Sequence, residues 1–197
     1  MGVTAYDDPK EAKAAFQGFD IRAAGLLPIQ IVVQNDGPYT LRMNAAQTFV
    51  EDANENLWPV MEKKLAYDRV ARYADTNAAF KEGAHKGFMG AAAGALIGAA
   101  IGVVSSANVA TAAAKGAAVG GAGAAVVGGA SAKASGDARR EAIDDLRKKE
   151  LENKLIAPGS LVYGFVFFPG EVEDATLLRL QLRIADSSRA DAIEFAL

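Results

Sequence analysis

The sequence lacks cysteine altogether and contains a single histidine, His85. Without cysteine the chain cannot form a disulfide, a zinc–thiolate site or a cysteine nucleophile. One histidine cannot build a histidine metal cluster, and it leaves His85 as the one base for a Ser-His-Asp triad. The alternative of a hydrolase therefore depends on His85 with Ser105 or Ser160. We predict instead that the protein is not an enzyme and has no catalytic, metal or cofactor site.

A strong excess of charge of either sign is also missing, since the formal net charge is −3 and the isoelectric point is about 5.3. Such a chain lacks the basic footprint that favours nucleic acid, so we predict no nucleic-acid partner. The glycine-rich stretch Gly116–Gly129 lacks the Gly-Lys-Ser/Thr ending of a phosphate loop. The acidic clusters, such as Asp7 with Asp8, lack the spacing of a calcium loop.

The pattern of a signal peptide is absent from residues 1–20. Polar residues lie where an apolar core would be expected, in the run Asp7–Lys10. This beginning predicts either a cytosolic protein or an envelope protein whose leader is not part of this sequence. The same region predicts a short helix near Pro9–Phe16.

Two alanine-rich stretches with regularly spaced glycines dominate the middle of the chain, at 87–104 and 109–132. Glycine every fourth residue gives a helix a groove without side chains, which a second helix can approach closely in a membrane or an oligomer. A helix over Gly87–Val104 would be roughly 27 Å long, close to the roughly 30 Å of a bilayer core. We therefore predict a glycine-zipper helical hairpin whose packing and oligomerisation residues are Gly90, Gly94, Gly98, Gly102, Gly116, Gly120 and Gly128.

Basic and aromatic residues flank the two stretches and predict a membrane boundary with anionic headgroups. They are Lys81, His85 and Lys86 before the first stretch, Phe88 near its start, and Lys133, Arg139 and Arg140 after the second. Two other interpretations remain open at this point. One is a hairpin outside the bilayer that is buried by oligomerisation, and the other is a flexible Gly/Ala linker. The regular four-residue spacing argues against the linker.

Alternating and apolar patterns on both sides of this region predict antiparallel strands. The predicted strands are Ile29–Val33, half-buried, then Tyr39–Asn44, Ala46–Glu51, Leu161–Phe168, Leu178–Ile184 and Ile193–Leu197. Trp58-Pro59 is predicted to open a helix over Val60–Phe80, and a second helix is predicted over Ala138–Leu155. Neither group of strands would be stable alone. The expected fold class is therefore α+β: a discontinuous antiparallel β-sandwich of about six or seven strands with an inserted helical hairpin. The predicted domains are 19–58 plus 156–197 for the sandwich and 59–155 for the insertion.

Particular segments carry a resemblance to known proteins. PIQIVVQNDG and EDANENLWPV, with APGSLVYGFVFFP and LLRLQLRIAD, resemble the two halves of small immunoglobulin-like β-sandwich domains of bacterial envelope proteins. The central GxxxGxxxGxxxG run resembles the glycine-zipper two-helix membrane segments of such proteins. Many of these proteins carry a lipid-attachment cysteine near the start, which this lipoprotein-like chain does not have.

The resemblance implies a non-enzymatic, membrane-associated structural protein of the bacterial cell envelope, on the periplasmic or outer-membrane side. It would form a homo-oligomer through the zipper glycines and contact membrane lipid and other envelope proteins. Hairpins that close a ring would form a pore, and hairpins that do not would form a scaffold. The alternative is a soluble oligomeric protein-interaction module with a helical stalk.

Overall fold

Antiparallel strands dominate the computed structural model, which describes residues 1–16, 19–76, 136–152 and 154–197. Among these residues the strands are β1 (Gly2–Ala5), β2 (Leu26–Gln34), β3 (Leu41–Met43), β4 (Phe49–Asp52), β5 (Leu57–Pro59), β6 (Leu161–Pro169), β7 (Ala175–Ile184) and β8 (Ala190–Ala196). The helices are α1 (Pro9–Ala15), α2 (Lys63–Thr76) and α3 (Gly136–Lys149), with a 3₁₀ turn at Ala45–Gln47. The predicted antiparallel sheets are thus confirmed.

The strands form two sheets. In the first sheet, β2 lies between β1 and β6. In the second sheet, β7 is central: β8 pairs along one side, while β3 and β4 pair with opposite ends of the other side and β5 pairs with β4. Each half of the chain contributes to both sheets, which explains why neither group of strands is sufficient alone.

One core lies between the two sheets. Alternate residues of β2, such as Ile29 and Ile31, pack with the buried leucines of β7, such as Leu180. Gly164 in β6 leaves space for the segment after α3, since an added Cβ there would lie 2.8 Å from the backbone of Leu151. Leu151 can therefore enter this core. Alternating burial along β7 produces a two-sheet sandwich with side chains interdigitating between the sheets.

A second core covers the opposite face of the first sheet. Phe165 and Phe167 of β6 point to the helices and pack with Phe16, Val70 and Leu146. The first sheet is therefore the middle of three layers, with the helices on one side and the second sheet on the other. The almost wholly apolar pattern of Leu161–Phe168 is typical of a strand covered on both faces, and its residues from Gly164 to Phe168 are buried in this way.

The same layering corrects the prediction that β2 is half-buried. Its residues from Leu26 to Val33 are all buried. Gln30, which suggested an exposed face, lies under the helical layer and accepts a hydrogen bond from the Tyr6 hydroxyl at 3.0 Å. A buried glutamine whose side-chain oxygen accepts a hydrogen bond is compatible with a core, whereas the sequence pattern alone treats it as a surface residue.

Several predicted boundaries differ from the structure. Trp58-Pro59 was predicted to open a helix but lies in β5, where Trp58 pairs with Val50 and packs on the sandwich core. The predicted strand Ala46–Glu51 begins as a 3₁₀ turn and becomes a strand at Phe49. Strand β1 was not predicted at all, and α3 ends at Lys149 rather than Leu155. The predicted hairpin itself lies largely outside the described residues, although α2 and α3 occupy its two ends.

Candidate functional site

Helices α2 and α3 lie side by side and antiparallel, and together they form the helix pair. Near the start of α2, Lys63 makes a 3.2 Å ion pair with Glu152, which follows α3. One turn later Tyr67 contacts Glu150 and Arg147. Residues later in α2 thus contact residues earlier in the α3 region, so the two helices run in opposite directions. The two helix ends that flank residues 77–135 therefore lie at the same end of the pair.

Small residues on the inner face of α2 bring the pair close to the first sheet. Ala66, Val70 and Ala74 recur every four residues and are all buried. This spacing places them on one face of a helix, where alanine allows a close approach. From α3, Leu146 is fully buried in the same core. The helix pair thus packs on the first sheet through an apolar face.

Glu150 is a buried carboxylate at the end of α3, with 4% of its surface exposed. The Tyr67 hydroxyl donates a hydrogen bond to Glu150 Oε2 at 2.9 Å, and the Arg147 guanidinium lies 5.6 Å from the Tyr67 ring centroid. Burial, followed by the hydrogen bond to Glu150, raises the pKa of Tyr67 to about 12. Tyr67 therefore remains a protonated donor at neutral pH. This buried hydrogen bond joins α2 to the end of α3.

Arg69 fastens α2 to the ends of two strands. Its Nη1 donates to the Gly25 carbonyl at 2.6 Å, and Nη1 and Nη2 donate to Glu171 at 2.9 and 2.8 Å. This two-pronged hydrogen bond lowers the pKa of the Glu171 carboxyl. Gly170 approaches Gly25 so closely that a side chain at Gly170 would collide with the Gly25 backbone. The middle of α2 is thus tied to the end of the first sheet where β2 begins and β6 ends.

The described residues offer little room for a small ligand beside this cluster. A depression lined by Met61, Glu150 and Phe165 has space for only a water-sized group. Within 1–16, 19–76, 136–152 and 154–197, no three acidic, histidine or cysteine side chains are grouped as a metal site would require. No helix in these ranges is both long enough and apolar enough to span a membrane.

Most residues predicted as functional lie outside the described residues. These are Gly90, Gly94, Gly98, Gly102, Gly116, Gly120 and Gly128 of the zipper, and Lys81, His85, Lys86, Phe88 and Lys133 of the boundary. Arg139 and Arg140 lie in α3, where Arg140 is exposed. Ser160, one alternative nucleophile, lies in the turn before β6 and donates its hydroxyl hydrogen bond to the Ala157 carbonyl at 2.6 Å.

Sequence reasoning missed the contacts that hold the helix pair. Tyr67 and Glu150 are 83 positions apart, and Arg69 and Glu171 are 102 apart. The one usable signal was the helical spacing of apolar residues around Val70, which indicates a buried face but not its partner. Comparison with protein-family models, with curated proteins and with solved structures finds no match for this chain.

Proposed function

We propose that this protein is a non-enzymatic, membrane-associated assembly protein of the bacterial envelope, in which a β-sandwich presents a glycine-zipper hairpin. The observation that carries the proposal is the antiparallel helix pair, whose two ends that flank residues 77–135 lie at the same end of the pair. A segment whose two ends are held side by side must leave and return at one place. That constraint favours a hairpin over an extended linker.

The attachment of the helix pair to the first sheet supports this role. It is made by a buried core and by the Arg69–Glu171 pair. The glycine spacing within residues 77–135 supplies the second part of the proposal. Small residues every fourth position let helices pack closely in lipid, where no hydrophobic force drives them together.

Homo-oligomerisation follows from the same spacing, because the hairpin of one copy offers a smooth face to the hairpin of another. In a helix over 87–104, Gly94 and Gly98 would lie at the centre of this face, and Ala92 and Ala100 would lie on the opposite side. An assembly closed into a ring would make a pore, and an open assembly would make a scaffold. Membrane lipid and other envelope proteins are the expected partners.

Membrane insertion is tested with the full-length chain by flotation with vesicles, followed by extraction with alkaline carbonate. We expect the chain to float and to resist extraction. The alternative is a soluble oligomeric interaction module with a helical stalk. Recovery as a monodisperse oligomer in detergent-free buffer and in the carbonate supernatant would favour that alternative and contradict the membrane proposal.

The zipper is tested separately by oligomer size in detergent, using light scattering after gel filtration. The double variant Gly94→Leu with Gly98→Leu fills the groove and is expected to give smaller assemblies than the wild type. The matched control, Ala92→Leu with Ala100→Leu, adds leucines to the other face and is expected to leave the size unchanged. Equal sizes for all three proteins would eliminate the proposed contact face.

A further inference from the structure

Most sheet edges in the described residues are either covered or short. The outer side of β6 is covered by the chain after α3, where the Leu151 amide donates to the Phe165 carbonyl at 2.9 Å. The β3 edge is bridged by Ile156, and β5 has only three residues, one of them Pro59. The short β1 has four residues. Strand β8 differs, because its seven residues pair on one side with β7 and are exposed or half-buried throughout.

The hydrogen-bond pattern identifies the backbone groups on the free edge of β8. The Ile184 amide donates to the Arg189 carbonyl and the Leu197 amide donates to the Thr176 carbonyl. Hydrogen-bonded pairs alternate in an antiparallel ladder, so odd-numbered residues of β8 direct their backbone groups to β7. The even-numbered residues direct theirs outward, and they are Ala190, Ala192, Glu194 and Ala196.

This edge carries few of the devices that usually prevent pairing. Natural edge strands are protected by proline, charged side chains, bulges or short length, and of these β8 has only the charges of Asp191 and Glu194. Three of the four outward-directed residues are alanines, whose side chains leave the amides and carbonyls accessible. The registered pairing with β7 runs from Ala190 to Ala196 without a shift. The edge is therefore regular, accessible and long enough for another strand.

We infer that a second copy of this chain pairs antiparallel along β8, about a two-fold axis at Ile193. In this register Ala190 lies opposite Ala196 and Ala192 opposite Glu194 of the second copy. Ile193 meets Ile193, and no like charges lie directly opposite one another, which would be destabilising. The free edge is thus self-complementary, as a two-fold interface must be.

The pairing also covers apolar surface that one copy leaves open. Ile193 and Phe195 face the side of the sandwich core and are only half-buried, and Leu197 follows them with 37% of its surface exposed. On the other face, Glu194 lies across from Arg179 of its own chain, which places a positive charge beside each glutamate. The two second sheets become one continuous sheet.

A seven-residue strand pair is a small interface, below the size of stable complexes, so the free dimer is expected to be weak. Attachment of several copies through another interface would raise their local concentration and strengthen it. The edge pairing does not depend on the proposed zipper, since it uses only residues of β8, and the two interfaces can be separated experimentally.

The absence of native cysteine makes site-specific cross-linking a direct test with the full-length chain. In the proposed register the two Ile193 side chains form a close, non-hydrogen-bonded pair, near the separation that a disulfide requires. Under mild oxidation Ile193→Cys should form covalent dimer about tenfold faster than Ser188→Cys, a control in the exposed turn before β8. Equal rates would overturn the proposal.

A second variant excludes random collision. Proline at Ala192 removes an amide that faces outward and leaves the ladder to β7 intact, as edge strands tolerate. We expect I193C with A192P to lose the fast cross-linking while its circular dichroism spectrum is retained. Undiminished cross-linking would contradict strand pairing. Combining I193C with G94L and G98L separates the two interfaces. Cross-linking that continues and depends on concentration supports the β8 pairing even if the zipper proposal fails. A cross-linking rate that falls to that of S188C contradicts an independent β8 interface.

Discussion

Asp52 organises the turn between β4 and β5 by itself. Its carboxylate accepts hydrogen bonds from the amides of Asn54 and Asn56, from the Asn56 side chain and from the Trp58 indole, at 2.8–3.2 Å. The side-chain bonds from Asn56 and then Trp58 hold the pKa of Asp52 to about 2. Glu55 takes a positive φ of 63° in the same turn. These contacts explain why DANENLW forms a tight turn followed by a strand, and not the start of a helix.

Replacing Asp52 by Asn should destabilise the fold in a pH-dependent way. The pKa in the folded state, about 2, lies below the unfolded value of about 4, so the carboxylate stabilises the fold above pH 4 and loses this effect as the pH falls through 2. At pH 6 the urea midpoint of Asp52→Asn should therefore lie below that of the wild type. The difference should shrink between pH 4 and pH 2.

Asp186→Asn is the matched control, since Asp186 is exposed in the turn between β7 and β8. Its urea midpoint should follow that of the wild type at every pH. The assignment would be wrong if D52N kept a constant difference from the wild type between pH 6 and pH 2, because the lost contribution would then not be electrostatic.

At the scale of elements, the helix pair depends on Leu146 more than on its ion pairs. Leu146 is fully buried against α2 and β6, whereas Lys63 and Glu152 are both partly exposed and their ion pair contributes little. Leu146→Ala should lower the free energy of unfolding by about 2–5 kcal/mol. Leu155→Ala, the same change at a side chain with 54% of its surface exposed, should change it by less than about 0.5 kcal/mol. Urea unfolding followed by circular dichroism measures the free energy of unfolding of both variants. Equal losses in the two variants would mean that α3 does not pack on the sheet.

The elements also show what local sequence can predict. Strong alternation, as in Leu178–Ile184, depends only on neighbouring residues, and β7 forms there with the expected alternation of burial. Strand β1 has only four residues and no clear alternation, so its existence depends on pairing with β2, some thirty positions away. The end of α3 is similar, because the chain leaves the helix to pair with Phe165.

The candidate site was less predictable than the fold for the same physical reason. Helical spacing around Val70 indicates an apolar face, but nothing local indicates that this face is shared with Leu146 and Phe165. Glu150 directly follows a charged helix and has the sequence context of a solvated residue, yet it is buried beside Tyr67. Prediction from sequence assigns polar residues to the surface. It therefore fails for polar residues that are buried by contacts with residues far away in the sequence.

At the scale of the molecule, three layers meet at the first sheet, and both halves of the chain are needed to build each layer. The helix pair covers one face of the first sheet. The described residues before 77–135 and those after it therefore contribute to the same two cores. Because the ends of this segment lie at the same end of two adjacent helices, a short connection can replace it. Neighbouring helices are separated by roughly 8–10 Å, which a loop of about eight residues spans.

A chain in which an eight-residue Gly/Ser linker replaces 77–135 should therefore fold to the same sandwich. Its urea unfolding should be cooperative, and its midpoint should exceed that of a chain carrying a Gly/Ser linker of the original length, roughly 60 residues. Three doublings of loop length cost about 1.8 kcal/mol of closure entropy, and this sets the expected difference. If the short-linker chain is unfolded or aggregated, packing on the sheet is not sufficient to hold the helix pair in place. Equal stabilities would show that the helix pair is not closed in the folded state, because the linker length would then carry no entropic cost.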